Sequence, residues 1–138
     1  MKSLLKVSSA STPVDLGILV GRIGVSVLMF THGIPKIGRL FQDEVKFLDF
    51  MGLGPEVSLI LAILAEVLCS VLVILGLATR FAVIPLIITM LIALIMVHGA
   101  DPFAVQEKLL LYILFYVVLF ITGSGRFSLD EKLFNLKA

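Results

Sequence analysis

Residues 16–37 read LGILVGRIGVSVLMFTHGIPKI. Between Leu16 and Leu28 the only charge is Arg22, and the run then closes on His32, Gly33, Pro35 and Lys36. Roughly 20 apolar residues cross the hydrocarbon core of a bilayer as a helix. This stretch is long enough, so its arginine is buried charge in a membrane span rather than a surface group.

The rest of the chain agrees. Of 138 residues 59% are hydrophobic and 15% charged, with mean hydropathy +1.15. A water-soluble domain of this size needs more polar surface than that. Four apolar blocks stand out: Val14–Ile37, Pro55–Ala78, Phe81–Val97 and Val105–Thr122. A barrel is excluded because period-two alternation is absent and the strands would be too few. The expected fold is an all-α membrane protein, a bundle of four transmembrane helices. A short interfacial helix is expected after the first span, where GRLFQDEVKFLDFMGLG mixes acids with Phe41, Phe47, Leu48, Phe50 and Met51. A short amphipathic helix is expected at the C-terminus, where Ser128 and Glu131 make a capping-box pattern.

This divides the chain into a cytoplasmic lead (1–13), a transmembrane domain (14–123) and a cytoplasmic tail (124–138). Lys2, Lys6, Arg80, Arg126, Lys132 and Lys137 fall on the side of the termini, and Lys36, Arg39, Lys46 and Lys108 on the other. The excess of bases places both termini in the cytoplasm, in a multi-pass protein of the cell (inner) membrane. The start, MKSLLKVSSASTPVD, lacks the continuous apolar core of a signal peptide. A net charge of +1 gives no sign of nucleic-acid binding. The lone Cys69 cannot form an internal disulfide; in an apolar block, it fills a small gap.

Ionisable groups inside a span cost roughly 2.5–3.5 kcal/mol on insertion scales, so they face a partner, water or the bundle interior. Arg22 sits roughly 12 Å from the cytoplasmic end of its span and Glu66 roughly 18 Å, at 1.5 Å per residue. The expectation is that they pair, either to hold two helices together or to serve a site. Gly17 and Gly21 have the small-xxx-small spacing of close helix contact, and Gly24 extends that surface. Arg22, Ser26, Met29, Gly33 and Lys36 share one helix face.

At the opposite membrane level His32 and His98 end the first and third spans. LMFTHGIP and LIMVHGADP echo one another, through an ancient duplication or through ordinary helix-stop chemistry. Asp101, Glu107 and Lys108 begin the fourth span at that level, and Tyr112 and Tyr116, four apart, continue inward on one face of it. No metal set is assigned, since there is no His-x3-His pair and no cysteine cluster. The histidines either cap helix ends or, with Lys36, Glu107 and Tyr112, hydrogen-bond a carbonyl-bearing, lipid-soluble ligand such as a quinone. Apolar walls with a few convergent polar groups suit such a ligand.

Four segments in order, GRIGVSVLMFTHGIPKI, AEVLCSVLVILGLATRFAVIPL, the His-Gly at His98, and GSGRFSLD, resemble the DoxX family of small four-helix bacterial membrane proteins. The resemblance covers Leu16–Asp130, nearly the whole chain. The resemblance implies the four-helix fold. It maps the family's polar positions onto Arg22, His32, Lys36, Glu66, Arg80, His98 and Glu107. It also implies a link to thiosulfate:quinone oxidoreductase and to quinone or thiol stress, whereas more distant eukaryotic relatives look like cargo receptors or assembly chaperones. The expected function is therefore a subunit of a quinone-linked membrane redox or oxidative-stress system. The candidate ligand-binding residues are Arg22, His32, Lys36, Glu66, His98, Glu107 and Tyr112. Beyond the bilayer, the partners expected are a redox subunit or further copies of the chain. The competing class is a non-enzymatic chaperone, adaptor or permeability factor.

Overall fold

Four long helices run antiparallel in a computed structural model that describes residues 11–135. All four are long and apolar enough to cross a membrane: α1 (Thr12–Arg39), α2 (Pro55–Leu75), α3 (Thr79–Val97) and α4 (Phe103–Thr122). Residues 1–10 of the expected lead and 136–138 of the tail lie outside the described residues.

Local chemistry sets the ends. α1 and α2 each begin with proline in the first turn, where its missing N–H is not needed. α2 stops at Gly76, which takes the left-handed conformation (φ 66°), and α4 stops at Gly123 (φ 79°). Two prolines sit inside helices instead of ending them, Pro35 in α1 and Pro85 in α3. The first span therefore runs past His-Gly-x-Pro to Arg39, whereas α3 ends at the second His-Gly, with His98 at its C-cap. The two echoed segments do different structural work.

Neighbouring helices pack in the order α1–α2–α3–α4, while α1 meets α4 only sparsely. The core is thin: Val25 and Met29 of α1, Val73 of α2, Val83, Leu86 and Met90 of α3, Tyr116 and Leu119 of α4. Many large apolar side chains point outward, among them Val20, Leu64, Ile88 and Leu114. That distribution suits hydrocarbon around the bundle, where helix backbones must satisfy themselves. Of the three glycines expected at a helix contact, only Gly21 lies against a neighbour, the Phe115 ring of α4; Gly17 and Gly24 face open space.

The interfacial helix expected after the first span does not form. Residues 40–54 are turns and extended chain. Asp49 Oδ1 accepts the Gly54 N–H (2.8 Å) and Ser58 Oγ accepts the Phe50 N–H (2.9 Å), and side-chain bonds of this kind compete with helix. Met51, Gly52 and Gly54 all take positive φ. The link turns Phe47, Leu48 and Phe50 toward α2 and α3. At the C-terminus, by contrast, Ser128 Oγ does accept the Glu131 N–H (3.2 Å) and a short helical turn follows, Glu131–Asn135.

Candidate functional site

The expected Arg22–Glu66 pair is not made. Arg22 donates to the Phe127 carbonyl, and Glu66 is paired with Lys36. Antiparallel packing decides this: Gly33 lies against Glu66, and Gly76, at the far end of α2, lies against Arg22. The two charges occupy different levels of the bundle.

Arg22 belongs to a knot at the termini end. The segment after α4 folds back beneath the helices. Asp130 accepts the N–H groups of Ala78 (2.7 Å) and Thr79 (3.2 Å), and its own N–H bonds the Gly76 carbonyl (2.9 Å). It thereby caps the start of α3, where a carboxylate is favoured. Asp15 of α1 accepts the Arg126 N–H (3.1 Å). Arg80 reaches the last carbonyls of α4, those of Phe120 and Ile121, each at 3.1 Å. Gly125 (φ 71°) lets the turn press on Ile18 and Asp15. Nothing in the sequence pointed to Asp15 or Asp130 beyond an acid in a first turn and an acid ending GSGRFSLD. Both are buried.

The other end is built differently. Because α1 passes through Pro35, Lys36 faces α2 rather than the membrane surface. Glu66 is 1% exposed and lies in a π-helical turn, Leu64–Cys69, inside α2. Such turns recur at functional sites. Gly33 makes the approach possible: a Cβ there would stand 3.0 Å from Glu66 Cβ and 2.8 Å from Val67 Cγ2. A second π-helical turn, Ala93–Val97, precedes His98.

These elements enclose a cavity of about 420 Å³ lined by His32, Lys36, Glu66, His98, Lys108 and Tyr112, among others. His32 meets Tyr112 edge-on at 5.8 Å between ring centroids, and Tyr112 stacks on Tyr116 at 6.2 Å. His98 Nδ1 lies 2.6 Å from Asp101 Oδ2, and Gln106 ties the turn by donating to the carbonyls of His98, Gly99 and Asp101. Five of the seven candidate residues, His32, Lys36, Glu66, His98 and Tyr112, therefore share one cavity. Arg22 is at the opposite end, and Glu107 is exposed and lines none of the cavities described. Thr31 and Arg39 add further polar groups to the wall, beside Pro35, Met90, Ala93, Val105 and Leu109. Sequence spacing put Thr31 and Arg39 outside the candidate set.

A groove of about 620 Å³ between α1 and α4 runs along Gly24, Val25, Leu28, Leu111 and Phe115. It shares Thr31, His32, Lys108 and Tyr112 with the polar cavity. An apolar slot thus meets a chamber holding several hydrogen-bond donors and one buried carboxylate.

Comparison with known proteins agrees with this architecture. The chain is 29% identical over 124 residues, 89% of its length and 91% of the other's, to the Bacillus subtilis (strain 168) protein named "Putative oxidoreductase CatD". No solved structure matches it. The DoxX family model matches residues 17–99, from α1 to the His-Gly that ends α3. That is more than half of the chain, and the protein belongs to the DoxX family.

Proposed function

We propose that the protein binds a quinone through its polar cavity and serves as a subunit of a quinone-linked membrane redox or oxidative-stress system. The observation that carries this reading is that the two spaces adjoin along Thr31, His32, Lys108 and Tyr112. A quinone has two carbonyl acceptors on a ring and an apolar tail. The cavity offers donors from Lys36, Tyr112, His32 and His98, and the groove between α1 and α4 opens sideways to hydrocarbon, so a lipid-soluble molecule would enter without crossing water. The relative named as an oxidoreductase favours redox work over a purely structural role. The electrons would pass to or from a partner subunit. The excess of bases beside the termini supports an orientation with both ends in the cytoplasm, in the inner membrane of a bacterial cell.

The test is titration of a short-chain quinone analogue into the purified protein in nanodiscs. Tyr112→Phe and His32→Ala each remove one donor, worth about 0.5–1.5 kcal/mol, and should weaken binding by roughly two- to tenfold. Melting temperature is followed on the same variants. Lower stability with unchanged analogue binding would assign these residues to holding helix ends together. No saturable binding by the wild type, alone or with its partners, would favour an adaptor or chaperone. For orientation, a cysteine placed in residues 41–54 of a Cys69→Ala protein should react with an impermeant reagent from outside the cell.

A further inference from the structure

We propose that the space on the other side of the Lys36–Glu66 pair is a second small-molecule site, for a mainly apolar, single-ring molecule carrying one hydroxyl donor. Lys36 and Glu66 form a wall between two cavities. One is the polar cavity facing α1 and α4. The other, of about 260 Å³, lies between α2, α3 and the link that follows α1. A dry cavity of about 150 Å³ is enough to hold benzene, so this chamber takes one ring with a small substituent.

The chemistry of the walls narrows the ligand. Phe47, Leu61, Ala65, Ile88 and Ile92 supply apolar surface. Two hydroxyls line the chamber, and both are already engaged. Ser58 donates to the Gly54 carbonyl (2.7 Å) while accepting the Phe50 N–H, and Thr89 donates to the Pro85 carbonyl (2.9 Å). Glu66 is the exception. Lys36 engages Oε1, while Oε2 is buried and makes no hydrogen bond among the described residues. A buried acceptor of this kind gains most from a donor. An O–H on the ligand supplies one. Lys36 lines this chamber as well, but a quinone, whose oxygens only accept, would leave Oε2 without a donor. A second anion would be repelled by the carboxylate. The chamber is also framed: the Phe47 ring sits 5.8 Å from Lys36 Nζ, and the link is pinned through Phe50 to Ser58 and through Gly54 to Asp49.

This site stands whether or not a quinone occupies the other cavity. The probes are 4-fluorobenzyl alcohol and 4-fluorotoluene, followed by ¹⁹F NMR on the full-length protein in nanodiscs. The alcohol should bind saturably and at least about fivefold more tightly than the toluene, which lacks the donor. Ala65→Phe, which fills the chamber, should weaken alcohol binding at least tenfold. Ile88→Trp should do the same from a half-exposed position that leaves the core alone, so a folding defect in the first variant does not spare the idea. Leu111→Trp, which blocks the α1–α4 groove, should leave the alcohol unaffected. Only non-saturable partitioning of the alcohol, equal binding of both probes, or full binding in a folded Ile88→Trp protein would each overturn the site. Loss of the alcohol in Leu111→Trp would mean one joined space and would overturn it too. Alcohol binding without any quinone-analogue binding would keep this site and remove the quinone reading.

Discussion

At the termini end, Asp130 meets two backbone N–H groups, Asp15 a third, and Arg22 a backbone carbonyl. At the histidine end, Glu66 meets one lysine on a flexible stem, and its second oxygen, like the second oxygen of Asp15 at the other end, has no partner among the described residues. Both ends bury charge inside a thin membrane bundle. Only the first spends it on fixed main-chain partners that bind loops to helices. The second leaves its charge beside two cavities, with a side chain as its partner. Buried ion pairs are weak stabilisers compared with apolar packing, which makes the second arrangement a poor way to hold helices and a good way to present polar groups. The difference lies in the partner. A carboxylate bound to backbone ties a loop to a helix, and one bound to a lysine side chain here lines a cavity.

Substitutions can break that comparison. The largest effect is expected from Asp130→Ala, which uncaps α3 and frees the returning tail. Charge-assisted bonds of this kind are worth about 1.5–3 kcal/mol each, so the unfolding free energy should fall by about 3 kcal/mol. Ligand binding by the folded fraction should not change. Equal loss of binding and stability would make the two ends one unit. Gly33→Ala comes next. Its added methyl must displace Glu66 or Val67, at about 1–3 kcal/mol. It should weaken quinone-analogue binding more than stability alone explains, whereas Gly24→Ala, in open space on the same helix, should do little to stability. The smallest effect belongs to Glu107→Gln. It removes a charge that faces away from the cavities, and its stability change should stay within about 0.5 kcal/mol with binding intact. A large binding loss there would place Glu107 back among the ligand contacts.

The four spans were legible because hydropathy over roughly 20 residues is a bulk property that no side-chain detail overrides. The helix limits match to within a few residues, and His32, Lys36, Glu66, His98 and Tyr112 were all recognisable as polar groups in apolar surroundings. Pairing was not legible. Depth counted from a span end places Arg22 and Glu66 within reach of each other, but helix register depends on where backbones can touch, here Gly33 on Glu66 and Gly76 on Arg22. Lys36 was legible as the last polar group on the Arg22 face of α1, at the outer end of the span, but its partner was not. With the helix intact, Lys36 turns toward Glu66. The link after α1 failed for a related reason: its aromatic residues resemble one face of a surface helix, yet they pack as a strap, and glycines with positive φ prevent the helix.

The π-helical turn at Leu64–Cys69 has a consequence for how this chain tolerates insertions and deletions. Such a turn holds one residue more than an α-helix would use over the same length. Each residue advances an α-helix by about 100°, so removing one residue from a regular turn of α2 would rotate the half ending at Gly76 against the half beginning at Pro55 and carry Gly76 away from Arg22. Removing one residue within Leu64–Cys69 would instead restore a regular turn and leave the two halves in place. The widened turn is thus the point of α2 where the chain can lose a residue and still keep Gly76 on Arg22.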